Sequence, residues 1–319
     1  MKKKLIIANL YRAKNKVAFF AMHQATTILN EFDIEFHIVW DNIEYKDEWT
    51  EKIETSNFNI VPYTKQQLNE YCLDYGIDKE YISKFDRYKS IYFVLHAHYL
   101  KTKNITDYYL IYDDDIILRE DVQEFKYYLE NKKPCLISEP LNANCDKVLF
   151  NKLIELYGGK EAYDYYIGVN PQMLGFNAGI QGISLDMYND FESPEMFKFL
   201  LDLFDYSGIY DDNGKEITGF QRTLIDTQQQ SFFGIMNIIR SKNLPVILDP
   251  LKYFVCPNWG YHPIFGQLHP ENEYEGWDIN MKSKIVHFIG HTVLDGIYYG
   301  KPKQYHTLVD EYLKKHNLI

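Results

Sequence analysis

Three carboxylates stand side by side at Asp113, Asp114 and Asp115, directly after the unbroken apolar run YYLIY at 108–112. Adjacent acids repel one another and are tolerated where they face water or where a cation neutralises them. Residues two apart in an extended chain point the same way, so Asp113 and Asp115 can share a site from which Asp114 faces away. Carboxylate oxygens suit hard cations such as Mn2+ or Mg2+, which keep coordination positions for water and substrate phosphate. Held there, such an ion would neutralise charge developing on a departing diphosphate. The plainer reading is a solvated acidic loop capping the next helix. The preceding run weighs against it. A short unbroken apolar run is the pattern of a strand covered on both faces, and the ligand crevice of an open α/β sheet lies beyond the carboxyl ends of such strands.

Other residues of chemical interest are weaker by themselves. His287 sits in the apolar run 285–289, where a lone histidine is ordinarily a satisfied core residue. Asp226, Gln229 and Gln230 lie within one helical turn of one another, so one helix face can present both a carboxylate and an amide. The bland alternative is a helix start with Asp226 as N-cap. Trp259, Tyr261, His262 and Trp277 fall in a segment, 257–279, rich in Pro, Gly, Trp and Tyr, and suit either sugar-face packing or a loop plugged onto the core. Asp211–Gly214 resembles half a calcium loop but lacks the remaining ligand spacing, and reads as a turn.

The elements that would position these groups alternate. Residues 4–9 read as a strand, 16–30 as a helix through Val17, Phe20, Ala21, Ile28 and Leu29, and 34–40 as a second strand. This β-α-β opening is the usual start of a doubly wound sheet. After a polar stretch, Asp86 takes an N-cap position, and Tyr88, Ile91, Tyr92, Leu95 and Tyr99 share one helical face. Helices are expected over 122–129, 147–156, 197–204, 226–240 and 306–315, and strands at 135–138, 246–248, 253–256 and 285–289. The stretch 174–185, with its three glycines, suggests strands with tight turns or a close approach to a ligand.

Bulk composition excludes several classes. An apolar fraction of 46% over 319 residues supports a sizeable core, so disorder is not the main state. A net charge of -11 repels a phosphate backbone, and no nucleic acid partner is expected. Cysteines at 72, 135, 145 and 256 show no zinc or disulfide spacing and read as reduced core thiols, which favours a cytoplasmic setting. No run reaches the roughly 18 apolar residues of a membrane helix, and the basic N-terminus is broken too early by Asn9, Arg12, Lys14 and Lys16 to read as a signal peptide. The high tyrosine content is no evidence of sugar binding. Without repeats, linkers or composition shifts, residues 1–319 read as a single domain, with 1–140 mainly nucleotide-binding, 141–300 mainly acceptor-side and 301–319 a C-terminal helix.

YLIYDDDIIL, preceded by the helix start FDRYKS, resembles the Asp-x-Asp region of GT-A glycosyltransferases, particularly the glycogenin-like family 8. GFNAGIQGIS resembles that family's Asn-Ala-Gly strand and VHFIG its late His-x-x-Gly segment, in the family's order over about residues 85–290. The resemblance implies an α/β, GT-A (Rossmann-like) fold with a mixed, mainly parallel central sheet flanked by helices. It implies Asp113, Asp115 and His287 as ligands of Mn2+ or Mg2+, with His291 the substitute for His287 if the register shifts by four. Arg87, Asn177, Ala178 and Gly179 would meet the sugar or phosphates of a nucleotide-sugar donor, most simply a UDP-hexose. Ile7, Ala8, Asn9 and Tyr11 would cradle base and ribose, with Asp114 and Gly290 also on the donor side. The plainer readings are that Arg87 balances Asp86 and that Asn177 occupies a turn.

Two departures bear on mechanism. The family's Asp-Gln dipeptide is blurred into Asp226-Thr-Gln-Gln-Gln230, leaving Asp226, Gln229 and Gln230 as the catalytic set, and the basic residue after His-x-x-Gly is replaced by Val293, leaving Lys301 to reach the diphosphate. The expected activity is hexosyl transfer to a hydroxyl of a carbohydrate or glycoconjugate acceptor, with retention, by a protein that needs no integral membrane segment and allows a homodimer. Two other classes share the features: a sugar-nucleotide nucleotidyltransferase, against which the glycine-free segment 9–12 argues, and a non-catalytic nucleotide-sugar-binding protein.

Overall fold

Two apolar runs fix the frame. β1 (Lys3–Asn9) is followed by α1 (Lys16–Ile28) and β2 (Phe32–Val39), the helix started by Asn15, whose side chain accepts from the amides of Val17 and Ala18. α2 (Glu48–Thr55), β3 (Ile60–Tyr63), α3 (Lys65–Asp74), α4 (Lys79–Ser83) and α5 (Ile91–Thr102) lead to β4 (Tyr108–Tyr112). In this computed structural model, the chain is described at residues 2–9, 15–39, 48–83, 91–119, 121–137, 179–206, 228–248, 284–287 and 303–319, with short pieces at 155, 159–161, 164, 261–262, 266–267, 292–294 and 297–299.

β5 (Ile116–Leu118), α6 (Gln123–Glu130), β6 (Cys135–Ile137), β7 (Ile180–Ser184), α7 (Pro194–Tyr206), α8 (Gln228–Arg240) and β8 (Val246–Leu248) follow. Toward the C-terminus come the short ladder of β9 (Tyr261–His262) with β10 (Gly266–Gln267), then β11 (Ile285–His287), the pair β12 (Thr292–Leu294) and β13 (Ile297–Tyr299), and α9 (Lys303–Lys315). The main sheet has the order β3-β2-β1-β4-β7-β6-β8. Only β7 runs against its neighbours, pairing antiparallel with β4 and β6, while the other pairs are parallel. The fold class is therefore α/β, with a mixed, mainly parallel central sheet flanked by helices.

Side-chain alternation along the central strands builds a core on each face. Ile6, Ala8, Tyr109 and Ile111 enter one core, where α3, α5, α7 and α8 contribute; Leu5, Ile7, Tyr108, Leu110 and Tyr112 enter the other, with α1, α6 and α9. This is what a period of two requires of a strand covered on both sides. The chain leaves β1 toward β2 and β3, then returns to β4 on the opposite side of β1, so the order reverses between β1 and β4. At such a switch point the outgoing connections part and leave a crevice at the strand ends. Asn9 and Tyr112 end the two strands at that place.

Two features differ from the sequence reading. α5 is buried almost all round, His96 and His98 included, instead of on a single face, because it lies between the sheet and a layer containing α3 and α8. The polar stretch 48–74 is structured as α2, β3 and α3. Among the described residues, no helix is long and apolar enough to cross a membrane. Cys72 and Cys135 are free and buried, and burial pushes their thiols up to about 12 and about 11, which makes both poor nucleophiles.

Candidate metal centre

β4 ends at Tyr112, at the switch point of the sheet, and the chain then turns at Asp114 and Asp115 before β5. The geometry of the acidic segment is thus a turn and not the extended alternation anticipated from spacing. Asp113 N donates to Gly179 O at 2.7 Å, which extends the β4–β7 ladder by one step and holds Asp113 at the sheet's end.

The imidazole arrives from far along the chain. β11 pairs antiparallel with β5, placing His287 opposite Ile116, one residue past the turn. His287 Nε2 lies 3.0 Å from Asp115 Oδ1 and 4.0 Å from Asp113 Oδ2. One potential ligand atom from each of the three residues falls within 4.8 Å of the others. Asp115 and His287 are 6% and 4% exposed, whereas the Asp113 side chain is 35% exposed and opens the cluster to solvent. Two carboxylates and one imidazole form an oxygen-rich donor set that matches a hard or borderline divalent ion, and a cation among them offsets their mutual repulsion.

The imidazole fits because Gly179 has no side chain. A Cβ at that position would overlap the His287 ring, so the glycine at the start of β7 is a steric requirement of the cluster. The turn itself is anchored from three sides. The Asn9 amide donates to Tyr112 O across the switch point. Gln24, buried in α1, accepts from the Tyr112 hydroxyl at 3.2 Å and from Leu118 N at 2.8 Å, tying β4 to β5. Tyr305, at the start of α9, donates its hydroxyl to Asp114 O at 2.8 Å. Burial first, then the neighbouring Tyr312, Asp115 and Asp114, hold the Tyr112 phenol far above its ordinary value, so it stays a neutral donor.

The other sequence candidates divide. Ile7 and Ala8 are fully buried on opposite faces of the sheet, and Asn9 spends its amide on Tyr112, so this strand offers the crevice its backbone end. Gln229 and Gln230 lie in the first turn of α8, which packs on β7. Tyr11, Arg87, Asn177, Ala178, Asp226, Gly290 and Lys301 lie outside the described residues, as do His291, Trp259, Trp277 and Asp211–Gly214. Gln24 and Tyr305 were not singled out from the sequence. Gln24 carries a signal: with Phe20 and Ala21 four and three positions earlier, it is a polar side chain on a core-facing stripe. Tyr305 has none beyond its apolar spacing with Val309 and Leu313.

Comparison with protein-family models and with curated proteins returns no match. Among solved structures, the chain is similar to mouse xyloside xylosyltransferase 1, with 13% identity, a TM-score of 0.46, and coverage of 92% of this chain and 99% of that one. It is similar to the galactosyltransferase LgtC in complex with donor and acceptor sugar analogues, with 14% identity, a TM-score of 0.44, and coverage of 97% and 95%. A third likeness is to the glycosyltransferase GlyE of Streptococcus pneumoniae, with 14% identity, a TM-score of 0.45 and 99% of this chain covered against 64% of that one. At such identities and scores these likenesses carry no inference about chemistry, which rests on the cluster itself.

Proposed function

We propose that the chain is a metal-dependent glycosyltransferase that moves a hexose from a nucleoside-diphosphate sugar, most simply UDP-hexose, to a hydroxyl of a carbohydrate or glycoconjugate acceptor, with retention at the anomeric carbon. The observation that carries the reading is the convergence of Asp113, Asp115 and His287 at the end of the central strand, at the switch point of an α/β sheet. These three residues would hold Mn2+ or Mg2+, which supplies charge neutralisation for the departing diphosphate.

The chain's own residues have the remaining work. Asp113, the most exposed of the three, would meet the diphosphate, while Asp115 and His287 are buried. The ends of β1 and β4 meet at the switch point, where base and ribose would lie against Ile7–Asn9 and Tyr11, with Asp114 alongside. Arg87, Asn177, Ala178, Gly179, Gly290 and Lys301 are proposed for the sugar and phosphates, and Asp226, Gln229 and Gln230 for the reactive face of the sugar. Because no Asp or Glu stands out in the sequence as a nucleophile, the leaving diphosphate oxygen is assigned the acceptor's proton on the same face. Inverted product stereochemistry in an NMR time course would refute that step.

The test is hydrolysis or transfer of UDP-sugars with and without Mn2+, preceded by a thermal-shift screen of UDP- and GDP-sugars, since a ligand bound by the native state raises its melting temperature. Mn2+-dependent turnover lost in Asp115→Ala supports the proposal. Pyrophosphate release from UTP and a sugar phosphate would assign the site to a nucleotidyltransferase, and binding without turnover across a broad acceptor panel to a non-catalytic binding protein.

A further inference from the structure

The acidic turn has an anchor that neither the Asp-x-Asp pattern nor the ligand set predicts. Tyr305 is fully buried at the start of α9 and donates to the carbonyl of Asp114, the middle residue of the triplet, at 2.8 Å. That carbonyl belongs to the peptide plane leading into Asp115. Fixing it sets the direction in which the Asp115 side chain leaves the backbone, and Asp115 is the carboxylate in contact with His287.

α9 is itself held to α1 independently of the turn. Val309 and Leu313 are buried in the core beneath it, and Tyr312 meets Phe20 edge to face and accepts or donates through its hydroxyl at His23 Nδ1, 3.0 Å away. Lys16 of α1 pairs with Asp310, and just past the helix Leu318 O accepts from Lys52 of α2. The helix therefore acts as a fixed strut, and its first turn carries the phenol to the site. We propose that Tyr305 is a positioning residue for the metal-binding turn, so that α9 sets the divalent-cation affinity of a site to which it contributes no ligand. The inference rests on the reading of Asp113, Asp115 and His287 as a metal site.

The experiment is a Mn2+ titration of the full chain, followed by the electron paramagnetic resonance signal of the free ion, for wild type, Asp115→Asn, Tyr305→Phe and Tyr312→Phe. Amide hydrogen exchange at 113–116 is measured on the same proteins without metal. Tyr305→Phe removes one hydroxyl and is expected to weaken Mn2+ binding by about three- to tenfold, the worth of one hydrogen bond, and to speed exchange at the turn. Tyr312→Phe, which removes the hydroxyl that meets His23 from the same helix and leaves the bond to Asp114 O intact, is expected to change neither. Unchanged affinity in Tyr305→Phe, where wild type binds Mn2+ and Asp115→Asn does not, overturns the positioning role and leaves the metal site standing. Equal weakening in both tyrosine variants overturns it too, because general loosening of α9 then explains the effect. A wild-type chain that binds no Mn2+ overturns both the site and the inference.

Discussion

His287 Nε2 and Asp115 Oδ1 lie 3.0 Å apart although 172 positions separate them in sequence, brought together by the antiparallel pairing of β11 with β5. Both are almost fully buried, so the contact is made away from water. His287→Ala is expected to abolish Mn2+ binding at this site. Loss of an outer-shell partner alone costs metal affinity about 10–100-fold, and removal of a ligand should cost at least as much. The same variant removes a buried polar contact of Asp115, which should lower stability by about 0.5–1.5 kcal/mol. Isothermal titration with Mn2+ and urea unfolding measure the two effects separately. An unaltered Mn2+ isotherm would remove His287 from the ligand set.

Gly179 and Gly182 lie three residues apart at β7, and both are too crowded for a Cβ, yet against different neighbours. A methyl at 179 meets the His287 ring, while one at 182 meets the Tyr108 hydroxyl and Cys135 Sγ. Gly179→Ala and Gly182→Ala should each destabilise the fold by about 1–3 kcal/mol, the usual cost of overpacking. Only Gly179→Ala should also impair Mn2+ binding. Thermal unfolding combined with a metal titration checks the distinction. Intact Mn2+ binding in Gly179→Ala would contradict the steric role assigned to that glycine.

The buried histidines predict an acid-sensitive fold. His98 Nε2 donates to Phe191 O at 2.8 Å, leaving Nδ1 to accept from the Tyr71 hydroxyl, and the ring stacks on Phe197. Burial lowers it to about 4, the bond to Phe191 opposing in part. Burial likewise lowers His37 and His96, which meet through His37 Nδ1 and His96 Nε2 at 2.9 Å. Their ordinary value is near 6.5. As pH falls below that, the unfolded chain takes up protons that the native chain refuses, so native stability declines between about pH 6.5 and 4. For His98 alone the decline from pH 7 to pH 5 is about 2 kcal/mol. Urea unfolding at the two pH values should show at least this loss, and His98→Gln should remove that share. A pH-independent midpoint over this range would contradict the neutral, buried state.

Much of the frame was legible because local rules and tertiary packing agree. The run at β4, the alternation of β1, and the apolar spacing of α1 each demand burial that the sheet provides. The elements missed between 48 and 74 lie at or near the sheet's edge, where half-exposed residues weaken the pattern and Pro62 interrupts β3. α3 did carry a readable start, since Thr64 and Gln67 form a reciprocal capping box. In α5 the helical spacing was visible but its second buried face was not, because no local rule announces that His96 and His98 will be enclosed. At the site, residue types and strand position suggested the carboxylates, and resemblance suggested His287. What the sequence did not encode locally is the β5–β11 pairing that brings the imidazole in, or the hold of Gln24 and Tyr305 on the turn. Such contacts are set by the return path of distant segments.

The central claim is most directly tested by anomalous diffraction from crystals soaked with Mn2+ and UDP. The account predicts a manganese peak bonded to Asp113, Asp115 and His287, with the diphosphate of UDP completing its coordination. A crevice that shows neither manganese nor UDP at those three side chains would contradict it.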